Sequence, residues 1–338
     1  MIVEDVVYGR CEITEPVMLD IISSRAFQRL KGISNLGIPG EFVPSGENDF
    51  TRYDHCVGAM LILGRLGAPL EEQVAGLVHD VSHTAFSHVV DHVIKEDGSA
   101  EDYQDSIHHR FFSDGSELAS ILERHGMDPR RISEPGNYSL LEQGQPEVCA
   151  DRFDYTLRWW GVGGDTGFVN AALGSITAAD GVMAFDSKEP AMAFADHHVS
   201  VFGEGRRRSL KPFEISVIWY VFAGALRIAL RKGIIAMDDF SGTDAYVMDK
   251  INRSRDPEIM RLFDALRRPL RFEITESDPK APIHYKFRYT DPRIVLNGKV
   301  ERVSDEYPEY RRRIEEDMRK NSRGFGIASI EGIELPIL

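Results

Sequence analysis

From Pro16 to about Ile33 apolar residues recur at helical spacing (Met18, Ile21, Ile22, Phe27, Leu30), and the Gly37-Ile-Pro-Gly40 cluster closes the segment. A second helix is predicted to open at His55 (Val57, Met60, Leu61, Leu63). A third, carrying Leu70, Val74, Leu77 and Val78, ends near His79-Asp80. Short loops between them predict antiparallel packing. The helical pattern resumes at Val89, Val93 and Ile94, crosses a polar insert from Lys95 to Asp105, and continues at Ile107, Phe111 and Phe112. Ser133 to Gln145 reads as loop, and Val148 to Trp160 as helix, broken by three glycines between Gly161 and Gly164.

Ile176 to Phe202 is less regular, with short apolar runs of strand character. A long apolar helix spans Ile215 to Leu230 and stops at the basic turn Arg231-Lys232-Gly233. Another helix is predicted from Asp238 to Ile251. In the tail, Arg271 to Thr275 and His284 to Tyr289 alternate as strands do, and an amphipathic helix starts at Pro308. The fold class that follows is mainly α, with a small mixed α/β C-terminal part. The expected division is a helical core over 1–255, containing an irregular insert around 165–205, and an extension over 256–338.

Composition narrows the function. A formal charge of −14 over 338 residues argues against coating nucleic acid by phosphate neutralisation, which needs a basic footprint. Three separated cysteines (Cys11, Cys56, Cys149) suggest neither a disulfide framework nor a zinc knuckle and fit a reducing cytoplasm. Glu4 and Asp5 interrupt any leader-like start, and the Ile215–Leu230 run is short of the roughly 20 residues of a bilayer span, so no membrane partner is expected.

The chemistry concentrates in His79-Asp-Val-Ser-His83-Thr-Ala-Phe-Ser-His88, three histidines in ten positions. Imidazole beside carboxylate suits a divalent transition metal, and a metal can make water a nucleophile near neutral pH. Four stretches then occur in order: Arg25-Ala-Phe-Gln-Arg-Leu30, Thr51-Arg-Tyr-Asp-His55, the histidine-rich run, and Ala150-Asp-Arg-Phe-Asp-Tyr155. Together they resemble the successive motifs of the HD-domain metal-dependent phosphohydrolases, and most nearly the deoxynucleoside triphosphate triphosphohydrolase branch. Tyr285 to Pro292 is similar to a late segment of that branch.

The resemblance implies an HD-domain helical core and a divalent metal ion (Fe, Mn, Co, Ni, Zn or Mg) held by His55, His79, Asp80 and Asp151. It implies that His83 and His88 line the phosphates, that Arg52 contacts phosphate, and that Gln28, Tyr155 and Arg158 lie with the substrate. The substrate implied is a small phosphorylated molecule, foremost a nucleotide, cleaved to nucleoside and triphosphate by a metal-activated water; the family also allows a homo-oligomer. A phosphomonoesterase and a non-catalytic nucleotide-binding regulatory protein are the alternatives.

Two positions depart from the pattern. Gln104-Asp105 stands where the branch has a His-Glu pair whose histidine protonates the leaving group, and glutamine cannot serve as that acid. Asp91, which matches the aspartate orienting that histidine, is retained, and His108 or His109 is the expected replacement acid. Trp159 stands where the branch has an aspartate for the sugar 3′-hydroxyl, and an indole offers one donor and no acceptor. Arg25 and Arg29 are expected in surface or intramolecular ion pairs, and Arg206-Arg-Arg208 in a solvated loop.

Overall fold

The computed structural model describes residues 1–43, 49–94, 103–202, 212–283, 287–321 and 325–337. Arg206 to Arg208, most of the Lys95–Asp105 insert, and His284 to Lys286 of the expected tail strand lie outside them.

The chain opens with an antiparallel hairpin, β1 (Ile2–Asp5) and β2 (Gly9–Glu12), which the helical periodicity did not reveal. Helices α1 (Pro16–Ser23) and α2 (Arg25–Gln28) follow. Then come the antiparallel pair α3 (Arg52–Arg65) and α4 (Leu70–Val78). Helix α3 starts three residues before His55 because Thr51 and Asp54 form a reciprocal capping box. The short 66–69 connection sets the start of α3 beside the end of α4, so His55 and His79 become neighbours. Gly76 permits this close crossing: a Cβ there would lie 2.5 Å from Leu63 Cδ1.

Helices α5 (Val89–Ile94), α6 (Tyr103–His108), α7 (Glu117–Arg124) and α8 (Pro129–Ile132) follow; α7 packs on α1, and α8 on α4. Helix α9 (Ala150–Val162) lies against α3. The described part of the region expected to be irregular, 165–202, consists of regular elements. Helix α10 (Thr166–Ser175) leads into the hairpin β3 (Ile176–Ala179) and β4 (Val182–Phe185), and α11 (Lys188–Phe202) replaces the strands expected there. Phe194 on α11 stacks on Phe153 of α9, and this core contact overrides the weak local pattern.

The long apolar helix α12 (Pro212–Arg231) is as expected. The segment predicted as one helix from Asp238 is a 3-10 turn (Met237–Ser241) followed by α13 (Asp244–Ser254), which Thr243 caps. Then α14 (Pro257–Leu266) leads into the tail. There β5 (Phe272–Thr275) and β6 (Ala281–Ile283) flank β9 (Phe325–Ile330) in one sheet. β7 (Arg293–Leu296) and β8 (Lys299–Arg302) join β3 and β4 in another. Helices α15 (Val303–Glu306) and α16 (Pro308–Asn321) complete the described elements. Parallel pairing of Phe185 with Ile294 crosses the expected 255/256 division, because Ile294 is buried in the same core as Phe185 and Phe194.

Two hydrophobic cores form. One gathers α1, α3, α4, α9 and the hairpin β3–β4; the other gathers α5, α12, α13, α14 and the β5–β9–β6 sheet. The histidine-rich segment bridges them, with Val81 in the first and Ala85 and Phe86 in the second. Among the described residues no helix is long and apolar enough to cross a membrane.

Candidate metal centre

His55 Nε2 and His79 Nε2 lie 3.2 Å apart, and Asp151 Oδ1 is 2.9 Å from the first and 3.5 Å from the second. Asp80 closes the group, Oδ2 at 3.7 Å from His55 and Oδ1 at 3.6 Å from His79. The other ring nitrogens decide what this cluster can do. His79 Nδ1 sits 2.8 Å from the Gly76 carbonyl, which can only accept, so Nδ1 carries the proton. His55 Nδ1 sits 2.8 Å from Asp154, a carboxylate already accepting from Arg158, so it also donates. In the neutral rings both lone pairs then reside on Nε2 and face each other between two carboxylates. A divalent cation satisfies all four groups at once, and the Nδ1 partners are the orienting bonds that metal-bound histidines make. The residues present therefore fit the metal.

Without a cation, a proton takes its place. Burial disfavours the charged form of His79, but Asp80 and Asp151 outweigh it and hold its pKa up at about 10. Asp80 is likewise opposed by burial, yet His79, His83 and Arg52 hold it well below the usual carboxylate range. Loading the site must therefore displace the His79 proton. Mn²⁺ binding near pH 7.5 is expected to release about one proton per site, and affinity to rise with pH until His79 deprotonates by itself. Calorimetry in buffers of different ionisation enthalpy measures this; an enthalpy independent of buffer contradicts it. Glu142, Cys149 and Asp151 come equally close together, but Arg152 Nη1 donates to Cys149 Sγ at 3.4 Å and sets a cation against that group.

Around the ligands, Arg52 donates from Nη1 to Asp80 Oδ2 at 2.6 Å and from Nε to Ser87 Oγ at 3.1 Å. His83 Nε2 lies 3.4 Å from Asp80 Oδ1 without hydrogen-bond geometry, and burial together with Arg52 pushes its pKa well down. The His83 and His88 rings meet edge to face at 5.0 Å. His88 Nδ1 is 3.1 Å from Asp91 Oδ2, and Asp91 Oδ1 accepts from the Tyr103 N–H at the start of α6.

The turn carrying these histidines is strained. Phe86 has φ +65° and Ser87 φ +46°, conformations that cost about 1–3 kcal/mol in such residues. Burying the Phe86 ring against Phe222 offsets this by roughly 2–3 kcal/mol. Asp244 at the start of α13 accepts from the Phe86 N–H at 2.7 Å and the Ser34 N–H at 2.9 Å, and Ser87 Oγ donates to the Ser34 carbonyl. Asp244 is a site-building residue that the local pattern could not reveal, since it lies 158 positions from Phe86.

Several expected site residues sit elsewhere. All three guanidinium nitrogens of Arg158 are engaged, Nε and Nη2 with Asp154 and Nη1 with Asp5, in a side chain that is 1% exposed. It lies behind His55 rather than at a substrate surface. Gln28 spends its amide on the Ile22 carbonyl at 2.6 Å, tying α1 to α2. His109 is exposed on a 3-10 turn, whereas His108 shares a hydrogen bond with Ser82 Oγ at 3.0 Å and has its Nε2 buried without a partner. Burial and nearby His79 push the His108 pKa down to about 4. The Tyr155 ring lies 6.2 Å from that of His55. Trp159 packs edge-on against Phe50 at 5.2 Å and fills core volume. Arg29, half-buried, donates to the Val81 and Gly242 carbonyls and so fixes the Val81–Ser82 peptide.

Besides Asp244, two residues that build the site were missed, Asp154 and Gly58. Asp154 orients His55, and its position three residues after Asp151 and four before Arg158 places all three on one face of α9. Gly58 makes room for that pair, since a Cβ there would lie 1.9 Å from Asp154 Oδ1 and 2.2 Å from Arg158 Nη2.

Comparison with known proteins agrees with this geometry. The HD-domain family model matches residues 52–156, which include His55, His79, Asp80 and Asp151. The uncharacterized protein YdhJ of Bacillus subtilis is 37% identical over 305 residues, covering 88% of this chain and 90% of that protein. The metal-dependent phosphohydrolase cns2 of Cordyceps militaris is 36% identical over 158 residues, 47% of this chain and 44% of that protein. A hypothetical protein from Aquifex aeolicus shares the fold, with a TM-score of 0.64 at 17% identity over 96% of this chain and 100% of that one. Paired Nε2 lone pairs between carboxylates, inside a matched motif segment and along a chain alignable nearly end to end, place this protein in the HD-domain family of divalent-metal-dependent phosphohydrolases.

Proposed function

We propose that the protein hydrolyses nucleoside triphosphates at the phosphorus nearest the sugar, releasing nucleoside and inorganic triphosphate. The observation that carries this reading is the convergence on Asp80 of Arg52 and the His83–His88 pair, three groups suited to phosphoryl oxygens, with the Tyr155 ring close to His55 on the same centre. The resemblance of the ordered motifs to the triphosphohydrolase branch supports it.

When bound, the divalent ion supplies Lewis acidity toward a phosphoryl oxygen and makes a water nucleophilic near neutral pH. Arg52 is held by Asp80 and Ser87, and its Nη2, which reaches the Asn35 carbonyl only at 3.5 Å, is the guanidinium nitrogen we assign to phosphate. His83, kept neutral by its surroundings, offers a hydrogen bond rather than a charge to a phosphoryl oxygen. As water adds to phosphorus and the bond to the 5′-oxygen breaks, that oxygen needs a proton. His88 is the best-placed donor: Asp91 Oδ2, 3.1 Å from its Nδ1, orients the ring and leaves the Nε2 edge for the leaving group. This assignment differs from the replacement acid expected at His108 or His109, because His109 is exposed and His108 is held neutral.

His88→Ala is expected to lower kcat by about 10²–10⁴-fold, the usual worth of a positioned acid. His109→Ala should leave kcat within about twofold, and His108→Ala should fall between them through the Ser82 contact. Steady-state rates and their pH profiles decide; a His109 variant as damaged as the His88 variant would return the acid to α6.

The second reading, a phosphomonoesterase on a nucleotide or other small phosphorylated metabolite, draws on Trp159, which packs against Phe50 and stands where the branch has its aspartate for the sugar 3′-hydroxyl. The deciding experiment is a screen of the Mn²⁺-, Co²⁺- and Fe²⁺-loaded protein over nucleoside mono-, di- and triphosphates. Phosphate, pyrophosphate and triphosphate are detected separately. Triphosphate as product supports the first reading, and phosphate from monophosphates the second. Binding without turnover under all three metals points to a regulatory protein.

A further inference from the structure

The N-terminal hairpin is connected to the metal centre by a buried chain of ion pairs. Asp5, the last residue of β1, accepts on Oδ1 from the Val7 and Tyr8 N–H groups at 2.8 and 3.0 Å, which shapes the hairpin turn. Its Oδ2 accepts from Arg158 Nη1 at 2.9 Å. Arg158 then forks onto Asp154, Nε to Oδ2 at 3.1 Å and Nη2 to Oδ1 at 2.9 Å. Asp154 Oδ2 in turn receives the Nδ1–H of His55 at 2.8 Å. Asp5, Arg158, Asp154 and His55 have side chains 8%, 1%, 0% and 1% exposed, so little water competes along the chain.

We propose that Asp5 is a positioning residue of the metal centre, acting through Arg158 and Asp154 on the ring of His55, so that the N-terminal hairpin is part of the site. The inference rests on the metal centre and is independent of which phosphate ester is cleaved.

The physical reasons are geometric and electrostatic. A guanidinium is planar, so anchoring Nη1 at Asp5 fixes the plane of the fork that holds Asp154, and Asp154 fixes the rotation of His55 about its Nε2 axis. The fork consumes Nε and Nη2, leaving Nη1 buried and dependent on Asp5. Charge acts in the same direction. Asp5, Arg158 and Asp154 sum to one negative charge behind His55, which strengthens the imidazole as a ligand for a cation; neutralising Asp5 brings the sum to zero.

The test is the affinity of the full-length, metal-free protein for Mn²⁺ and Co²⁺, measured by chelator competition and, for Co²⁺, by its visible absorption. Thermal melting without metal is recorded in parallel. Removing outer-shell partners of metal-bound histidines typically costs 10–100-fold in affinity, and Asp5→Asn is expected at the lower end, about tenfold. Asp5→Glu keeps the charge and should recover most of the loss. Glu4→Gln changes the same strand at an exposed position, where Glu4 is 3.9 Å from Arg10, and should leave affinity within about twofold. A hairpin that only stabilises the fold gives a different result: Asp5→Asn lowers the metal-free melting temperature while the folded chain binds metal as tightly as before. That outcome, or equal affinities for Asp5→Glu, Asp5→Asn and the unmodified chain, overturns the proposal.

Discussion

Asp80→Ala is expected to abolish metal-dependent hydrolysis, with a loss of at least about 10³-fold in rate and about 10²-fold in metal affinity. Asp80 faces His55, His79 and His83 and accepts the Nη1–H of Arg52, so its removal costs more than one ligand. Arg52 is buried, and stripping one partner from a buried ion pair costs roughly 3–5 kcal/mol because a charge is left uncompensated. The metal-free variant should therefore melt earlier as well. Asp80→Asn keeps an oxygen for Arg52 and separates the two effects: stability returns in part, while affinity and turnover stay low. Metal content after dialysis, melting, and product release at saturating Mn²⁺ provide the three readings. An Asp80→Ala protein that hydrolyses normally with excess Mn²⁺ would remove Asp80 from the centre.

Gly58→Ala should damage the protein nearly as much, although the change looks mild. In an exposed helix it would stabilise by about 1 kcal/mol through backbone entropy. Here the added Cβ would lie 1.9 Å from Asp154 Oδ1 and 2.2 Å from Arg158 Nη2, well inside contact distance. Both atoms belong to a fully buried ion pair held from several sides, so neither can swing away cheaply. Disrupting that pair costs roughly 3–5 kcal/mol, and the net expectation is a loss of about 2–4 kcal/mol with weakened metal binding. Gly64 in the same helix is the control. A Cβ there meets the end of the flexible Gln73 side chain at 3.1 Å, so Gly64→Ala should be neutral or mildly stabilising. Chemical denaturation of the metal-free proteins distinguishes the two; equal stabilities would refute the crowding argument.

How far the sequence could be read depended on how local the signal was. Helices α3, α4, α9 and α12 follow from their apolar spacing, because each buries a continuous stripe that 3.6-residue periodicity exposes. The 188–202 helix and the β1–β2 hairpin did not, since their apolar residues pack against partners far along the chain. Of the expected tail strands, Arg271 to Thr275 contains β5, whereas Phe287 to Tyr289 form no strand; β7 and β8, which join β3 and β4, had no legible alternation, for strand pairing is a long-range choice. Gln28 and Arg158 show the same limit at the site. A motif places a side chain on an element, whereas the nearest partner decides whether it faces substrate, a carbonyl or a buried carboxylate.

The sequence by itself determined the helical class, the ordered motifs and the four metal-ligand candidates, because imidazoles and carboxylates carry their chemistry wherever they occur. Only the tertiary structure decided which ring nitrogens bear protons, that Asp154, Arg158 and Asp5 stand behind His55, that Asp91 holds His88, and that Asp244 restrains the Phe86–Ser87 turn. These are relations between atoms up to 158 residues apart. Their energies depend on distance and burial rather than on residue identity, and both arise only when the chain has packed.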